Sequence, residues 1–202
     1  TEAHELPSAR GQGEPLSGRF AMVAGESFEH VLLDDDKQAL LLASDAGYGF
    51  VAEYSDLLSR NKAGKAVLSL PVGAKVLPPV VVKQPDTDLV LCISNEGRML
   101  VFPVADLPKL SKGKGNKLMS IPSARAASRE EYVCQLAIIP ADGSVTLVAG
   151  KRKLGLKADD LAHYHGERGR RGNKLPRGLQ RIDEVQVSLG NDTSSDQTSS
   201  VE

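Results

Sequence analysis

Short apolar runs of strand length recur along the chain in pairs, and each pair is separated by a polar turn that contains glycine. Two such runs across a glycine turn predict a β-hairpin. The paired runs occupy residues 38–44 and 49–54, 89–94 and 98–102, and, with a weaker pattern, 145–150 and 153–156. Runs at 67–71, 78–83 and 118–122 predict further short strands. A solenoid of helices is disfavoured, because no useful apolar stripe of period 3.6 lies outside 158–164.

The three hairpins belong to a repeat of about fifty residues. SDAGYGFVAEYSDL at 44–57 aligns with SNEGRMLVFPVADL at 94–107 and with VAGKRKLGLKADDL at 148–161. The Asp-Leu pair in each stretch predicts at most one helical turn. Several short strands in each period favour an all-β, propeller-like array of sheets. We predict one domain over residues 1–189 with about four four-stranded blades. The predicted repeats are approximately 1–39, 40–89, 90–142 and 143–189.

A basic loop with glycine follows each aligned stretch, and the formal net charge of −1 hides this segregation of charge. The loops are SRNKAGKA at 59–66, SKGKGNK at 111–117 and GERGRRGNK at 166–174. LPSARGQGEPL at 6–16 resembles the same loop of an earlier copy. A single loop of this kind is usually an ordinary solvated turn. Its recurrence at one position of the repeat favours a protein that binds a polyanion along one rim.

The composition of the basic loops favours duplex DNA as that polyanion. Glycine lets the loop backbone approach a phosphate, and Lys or Arg supplies the positive charge. Proteins that bind single strands need aromatic stacking platforms, and only Tyr164 is aromatic in or beside these loops. We therefore predict backbone contacts without base readout. The predicted DNA-binding residues are Arg10, Arg60, Lys62, Lys65, Lys109, Lys112, Lys114, Lys117, Arg168, Arg170, Arg171 and Lys174.

The sequence offers no set of catalytic residues. GSVTLVAGKR at 143–152 has the wrong spacing for a P-loop, and Arg152 stands where Ser or Thr should follow the Lys. His163 and His165 lack the further His or Cys partners that a metal site needs. We therefore expect no catalytic residue, metal or cofactor in this domain.

Cys92 and Cys134 lie in strand-like apolar runs, and we predict buried thiols in a reducing cytoplasm rather than a disulfide. No apolar run approaches the ~20 residues that cross a bilayer, and no signal peptide opens the sequence. The chain does not begin with Met, so we expect it to be a piece of a longer protein. Residues 190–202 hold one aliphatic side chain and predict a disordered acidic tail.

Five stretches resemble, in order, the C-terminal domain of ParC, the A subunit of bacterial DNA topoisomerase IV. They are LPSARGQGEPL, ASDAGYGF, SDLLSRNKAGKA, FPVADLPKLSKGKGNK and GERGRRG…RGLQRID, and the similarity covers nearly all of residues 6–187. The resemblance implies a β-pinwheel, which is a propeller-like array whose blades exchange strands with their neighbours. It also implies a basic rim that bends duplex DNA. A complete domain of this family has a further blade, so we expect that an N-terminal part is missing.

The resemblance implies that the whole protein is the A subunit of an ATP-dependent type IIA topoisomerase, which unlinks daughter chromosomes and relaxes supercoils. Its partners would be the B subunit of topoisomerase IV and a second copy of the A subunit. Its location would be the cytoplasm, on the nucleoid. The breakage-reunion tyrosine, ATP and Mg²⁺ would all lie outside this domain. A further implied partner is MukB, a condensin-like SMC protein. We predict Arg152 and Arg177 as its anchors, because a planar guanidinium can grip carboxylates bidentately; the alternative is a solvated edge.

Two alternatives to this family assignment remain at the level of sequence. The first is the DNA-wrapping C-terminal domain of the gyrase A subunit, whose box Q-R-R-G-G-K-G is only approached by GERGRRG at 166–172. The second is a propeller-type scaffold for protein interactions, which a DNA-binding assay would distinguish from both topoisomerase assignments.

Overall fold

The structure is a computed structural model that describes residues 13, 15, 18, 20, 24–33, 37–61 and 64–189. Eleven strands in this part of the chain form three antiparallel sheets, with orders β3-β1-β2-β6, β10-β5-β4-β7 and β11-β8-β9. The strands are β1 Ala39–Ser44, β2 Tyr48–Glu53, β3 Val80–Val82, β4 Leu89–Ser94, β5 Arg98–Pro103, β6 Asn116–Lys117, β7 Val133–Ile139, β8 Ser144–Ala149, β9 Arg152–Leu156, β10 Asn173–Lys174 and β11 Glu184–Ser188. Short helices lie at Tyr54–Leu57, Ser123–Ala127 and Ala158–Ala162, with a 3-10 turn at Val104–Asp106.

The three predicted hairpins are present as β1–β2, β4–β5 and β8–β9. Gly47 and Gly97 close the first two turns at φ +81° and +67°, a backbone region that glycine enters without strain. A short helix or a 3-10 turn follows each hairpin, where the Asp-Leu pairs predicted a helical turn. None of the helices in the described ranges is long and apolar enough to span a membrane.

Neighbouring repeats exchange strands. β6, from the basic loop of the predicted repeat 90–142, pairs with β2 and completes the first sheet. β10, from the basic loop of the predicted repeat 143–189, pairs with β5 in the same way. Leu118 N–H donates to the Gly47 carbonyl and Leu175 N–H to the Gly97 carbonyl, both at 2.8 Å. Both exchanged segments read Gly-Asn-Lys-Leu, so one local sequence makes the same connection twice.

The regular strands predicted at 67–71 and 118–122 do not form, and the strand pairing of the second segment lies just before it, in β6. Leu118 and Met119 are both fully buried although they are adjacent in sequence. A half-buried strand alternates inward and outward side chains, and this segment does not. It instead fills the space between two sheets with apolar side chains.

The second sheet is buried on both faces, between two hydrophobic clusters. Alternate residues face opposite sides, so Val90, Cys92, Leu100 and Phe102 join the first cluster. Leu91, Ile93, Met99 and Val101 join the second. Near-continuous burial of β4 and β5 follows from this position in the middle of the array.

The remaining sequence predictions fall partly outside the described residues. The predicted first repeat, 1–39, lies largely outside them, and so does the predicted tail at 190–202. Cys92 is buried as predicted, but Cys134 is only half-buried, and both thiols are free. Burial raises the pKa of both thiols, that of Cys134 to about 11, which makes them poor nucleophiles at neutral pH.

Candidate nucleic-acid interface

Strand exchange places consecutive basic loops side by side. Gly113, in the second loop, donates its N–H to the Val67 carbonyl at 2.8 Å, and its own carbonyl accepts the Ser69 N–H at 2.9 Å. Val67 and Ser69 directly follow the first basic loop. The second loop is therefore joined to the end of the first by main-chain hydrogen bonds.

The third loop is joined to the end of the second in a similar way. Gly169 N–H donates to the Leu118 carbonyl at 2.8 Å, and Ser120 N–H donates to the Arg170 carbonyl at 2.9 Å. Nη1 of Arg168 also donates to the Lys117 carbonyl at 2.7 Å. We call the surface formed by residues 59–61, 64–66, 109–117 and 166–174 the basic ridge. Hydrogen bonds join each of its three segments to the next, either directly or through the residues that immediately follow a loop.

The second segment of the ridge carries the densest free charge. Lys109, Lys112, Lys114 and Lys117 are all exposed, and none of them makes an ion pair with a residue that the structure describes. Nζ of Lys114 lies 4.3 Å from the centroid of the Tyr48 ring, a cation–π contact that holds the ammonium beside the exchanged strand. These lysines point positive charge at solvent rather than at a protein acid.

The first segment is only partly described. Arg10 and Lys62 lie outside the described residues, so their predicted role stays a prediction. Arg60 and Lys65 are exposed. Nζ of Lys65 donates to the Asp56 carbonyl at 2.7 Å, which places its charge at the end of the helix Tyr54–Leu57.

Two of the predicted arginines in the third segment have their charge neutralised by protein acids. Arg170 pairs with Glu167 at 2.6 Å on the surface. Arg171 turns inward to Glu131, whose side chain is fully buried, and its Nη2 donates to Oε2 at 3.1 Å. Nη1 of Arg171 lies 2.9 Å from Oε1, without the geometry of a hydrogen bond. Lys174 is exposed, and no ion pair to it occurs in the described part of the chain.

Glu131 is a buried acid beside the basic ridge that the sequence patterns did not reveal. It also accepts a hydrogen bond at 2.9 Å from Arg125, which in turn pairs with Glu96 at 3.0 Å. The cluster thus joins the hairpin turn of the second sheet to the third basic loop. No sequence signal distinguished Glu131 from a surface acid, because one of its two partners, Arg171, lies 40 residues away in sequence.

The remaining predicted residues lie away from the ridge or inside the protein. A Cβ built on Gly178 would collide with the guanidinium of Arg152, so Arg152 lies over the backbone next to Arg177. Tyr164 is buried and cannot serve as a stacking platform, and burial with nearby Asp160 raises its pKa. Within the described ranges, no group of three or more His, Cys, Asp or Glu is arranged to hold a metal ion.

Comparison with known proteins gives one consistent family. The model of the family described as DNA gyrase C-terminal domain, beta-propeller, matches residues 38–83 and 88–124. The chain is 59% identical to the A subunit of DNA topoisomerase 4 from Pseudomonas aeruginosa, over 93% of this chain and 25% of that protein. It is 54% identical to the Escherichia coli K12 protein of the same name, over 90% of this chain and 24% of that protein. The chain thus spans about a quarter of the length of these curated relatives.

Solved structures agree with the sequence relatives. The E. coli ParC C-terminal domain superposes with a TM-score of 0.85 at 53% identity, over 91% of this chain and 74% of that one. A DNA gyrase A C-terminal domain superposes with a TM-score of 0.64 at 16% identity, over 93% of this chain and 61% of that one. At this low identity the second similarity shows the fold alone.

Proposed function

Because the chain belongs to the family of ParC C-terminal domains of DNA topoisomerase IV, we propose that it binds and bends duplex DNA without reading its sequence. The single observation that carries this proposal is the basic ridge, in which hydrogen bonds join loops from successive repeats into one continuous surface. The β-propeller fold of the family supplies the support on which the loops are held.

The ridge suits the backbone of a duplex better than its bases. Its free charge comes mainly from exposed lysines, each a compact point charge suited to a phosphate. No aromatic platform lies among its described residues, since Tyr164 is buried and Tyr48 is already covered by Lys114. Affinity should therefore come from counterion release, which is independent of sequence.

Strand exchange makes the ridge rigid, and rigidity is what bending requires. The loops at 111–117 and 166–174 each end in a strand of the neighbouring sheet, and main-chain hydrogen bonds fix the end of the first loop to Gly113, so the spacing between cationic segments is set by the packed core. Blades of a propeller rotate relative to one another, so a ridge built on successive blades follows a curved path. DNA that contacts all segments pays a bending energy, which the added phosphate contacts offset.

The proposed role in the cell rests on the family. We propose that the whole protein is the A subunit of a type IIA topoisomerase, in which it works with the B subunit plus a second copy of itself. In that enzyme this domain would help to select DNA crossings during decatenation and relaxation in chromosome segregation. ATP and Mg²⁺ would be used in other parts of the enzyme, and the location would be the cytoplasm, on the nucleoid.

A second contact, with an acidic protein partner, is proposed at Arg152 and Arg177. Both side chains are exposed, and neither makes an ion pair among the described residues. The proximity of the Arg152 guanidinium to Gly178 supports a joint role, because Gly178 is the residue next to Arg177. We propose the condensin-like protein MukB as this partner. Charge reversal of both arginines should cost the complex about 2–5 kcal/mol if the contact is buried.

The two alternative functions predict different behaviour. A gyrase-like domain would wrap DNA fully through a Gly/Arg box, but GERGRRG lies in a loop whose Arg171 is held by Glu131. A protein-interaction scaffold would show no dependence of DNA affinity on the ridge lysines. The DNA titration described next separates the interaction scaffold from both DNA-binding functions.

The decisive experiment is a salt-dependent titration of duplex DNA with Lys112, Lys114 and Lys117 changed together to Glu. Each lost phosphate contact should lower the slope of log affinity against log salt by about 0.9, so three contacts lower it by about 2.7. The matched control changes Lys75, Lys83 and Lys157 to Glu, which alters net charge equally but lies off the ridge. Equal losses in both variants, or a sharp dependence on base sequence, would refute the proposal.

A pull-down with the hinge region of the condensin tests the partner contact. Arg152→Glu combined with Arg177→Glu should abolish capture and leave duplex affinity within about twofold, because neither residue lies on the ridge. Unchanged capture would remove MukB from the proposal without affecting the DNA titration.

A further inference from the structure

The third sheet differs from the first two at the edge of its hairpin. In the first two sheets that edge is covered by an exchanged Gly-Asn-Lys-Leu segment, paired to β2 or to β5. In the third sheet, β9 pairs with β8 on one side, and no described segment pairs with its other side. Among the described residues, the strand position that is filled in the first two sheets is therefore open in the third.

Main-chain groups at this open edge are aimed away from β8. In β5, Val101 bonds outward, donating its N–H to the Tyr164 carbonyl and accepting the Gly166 N–H. Gly155 holds the equivalent position in β9, since each lies three residues before the helical turn that follows. The β8–β9 hairpin has a two-residue turn closed by the hydrogen-bonded pair Ala149 and Arg152, and hydrogen-bonded and non-hydrogen-bonded pairs alternate along the ladder from there. Lys153 and Gly155 lie in non-hydrogen-bonded pairs, so their N–H and C=O groups point to the open side.

Space is also present over the turn and the outer face of this hairpin. A Cβ on Gly97 would meet the backbone of Gln180 at 2.7 Å, and one on Gly47 the Met119 carbonyl at 2.6 Å. A Cβ on Gly150 or Gly155 would meet nothing within 4 Å among the described residues. The hairpin of the third sheet is therefore uncovered where the other two hairpins are enclosed.

The outer face of the third sheet is polar, so another packed blade does not fit against it. Leu91, Met99 and Val101 of the second sheet are buried in a core cluster. The equivalent residues in the third sheet are Thr146, Lys153 and Gly155, which are half-buried or exposed. A polar outer face is what terminal repeats present to solvent. The open edge thus calls for an added strand rather than an added blade.

The positive charge around this edge favours an acidic strand as its ligand. Lys151, Arg152, Lys153 and Lys157 are exposed along β9 and at its ends, and Arg177 adjoins them. The nearby Asp183 carboxylate is already engaged by the Gly150 N–H at 2.6 Å. A DNA backbone offers no donors for the carbonyl groups of an edge strand, whereas a peptide offers both donors and acceptors.

We propose that β9 is an acceptor edge to which an acidic, extended segment of a partner protein adds as an antiparallel strand. The segment takes the position of Gly-Asn-Lys-Leu and continues on its N-terminal side past Gly155, with acidic residues opposite Lys153 and Arg152 where the internal strands carry Asn and Lys. This inference deepens the partner contact proposed at Arg152 and Arg177 and rests on it for the partner's acidic character. The mode of binding, main-chain pairing with Lys153 and Gly155, is new to it.

The probe for this site is a fluorescein-labelled peptide that contains Ala-Ala-Gly-Glu-Glu-Leu, in which the alanine before the glycine stands opposite Gly155, titrated into the 202-residue chain by anisotropy. A second peptide carries an N-methyl group on the first Glu, which stands opposite Lys153, and so loses the N–H of that pair without losing charge. We expect the N-methylated peptide to bind at least tenfold more weakly. The amide resonances of Lys153 and Gly155 should shift on binding of the first peptide.

Gly155→Pro is the matched variant on the protein side, with Gly155→Ala as its control. Proline removes the outward N–H and leaves the β8–β9 ladder intact, since this N–H does not face β8. We expect Gly155→Pro to lose at least tenfold in peptide affinity, Gly155→Ala to stay within twofold, and both to keep their duplex DNA affinity. Thermal melting of both variants verifies that they fold.

The remaining outcomes overturn the proposal in distinguishable ways. Equal binding of both peptides, or of both Gly155 variants, would leave only charge attraction at Arg152 and Arg177. Binding that appears only after removal of residues 190–202 would make this chain's own C-terminal segment the occupant. Self-association lost in Gly155→Pro would make the occupant a second copy. A loss of DNA affinity in Gly155→Pro would assign the edge to DNA, whereas failure of the ridge lysine variants alone would refute only the DNA-binding function.

Discussion

The basic loops at 111–117 and 166–174 end in the same residues and insert the same short strand into a neighbouring sheet, but they use their positive charge differently. The loop at 111–117 is rich in lysine, and its ammonium groups are exposed without acidic partners among the described residues. The loop at 166–174 is rich in arginine, and Arg170 and Arg171 pair with Glu167 and Glu131. Equal formal charge in a loop therefore does not mean equal charge offered to a ligand.

The difference follows from the chemistry of the two cations. The planar guanidinium of Arg171 bonds to the buried Glu131 and, at 3.3 Å, to the Ser120 carbonyl, which ties the repeat 143–189 to the repeat 90–142. A lysine ammonium has no such fork, and its stronger hydration favours the surface. We therefore expect the lysine loop to contribute most to the proposed DNA binding and part of the arginine loop to hold the blades together.

Removing the inward arginine should have the largest effect on stability. Arg171→Ala leaves the fully buried Glu131 with Arg125 as its one described cationic partner, and breaking such a pair should lower the free energy of unfolding by about 3 kcal/mol. Arg170→Ala removes an exposed pair and should cost less than about 1 kcal/mol. Urea denaturation of both variants measures the difference. Equal costs would show that the two arginines do not differ in role.

Glycine substitutions test whether the two exchanged strands are held alike. A Cβ on Gly115 would lie 2.1 Å from the Gly49 carbonyl oxygen, and one on Gly172 would lie 2.5 Å from that of Met99, both at positive φ. Gly115→Ala and Gly172→Ala should each cost about 2–3 kcal/mol from strain and collision together. Gly169→Ala is the control, because its φ of +80° is similar but its nearest contact, at 3.4 Å, is ordinary. It should cost about 1 kcal/mol, and an equal cost at Gly169 would mean that close approach contributes nothing.

Sequence patterns predicted the hairpins because each lies in a contiguous segment with strand-length apolar runs and a local turn. The positions of the strands that complete the sheets could not be predicted in the same way. β6 is only two polar residues long, and its partner Tyr48 lies in another repeat. The apolar segment after it looked more like a strand and instead packs into the core.

The location of the basic ridge was predictable from the sequence, but which of its cations are exposed and which are paired with acids was not. Repetition of glycine and cations marked the loops, and hydrogen bonds between neighbouring loops then join them. Whether a given cation is free depends on acids elsewhere, as Arg171 shows with Glu131, 40 residues away in sequence. Such pairings carry no period, so only the three-dimensional arrangement separates structural arginines from exposed ones.

The smallest expected effect is also the most direct test of the comparison, a single neutralisation in each loop. Lys112→Ala should lower the slope of log duplex affinity against log salt by about 0.9, because one phosphate contact is lost. Arg171→Met should leave that slope unchanged, since its charge is already neutralised by Glu131 and methionine retains much of the stem volume. Both titrations should be run well below the unfolding temperature of the methionine variant. Lys112→Arg, which keeps the charge, serves as the control for the first change. A slope that falls equally in Lys112→Ala and Arg171→Met would mean that DNA draws Arg171 away from Glu131, and the two loops would then act alike.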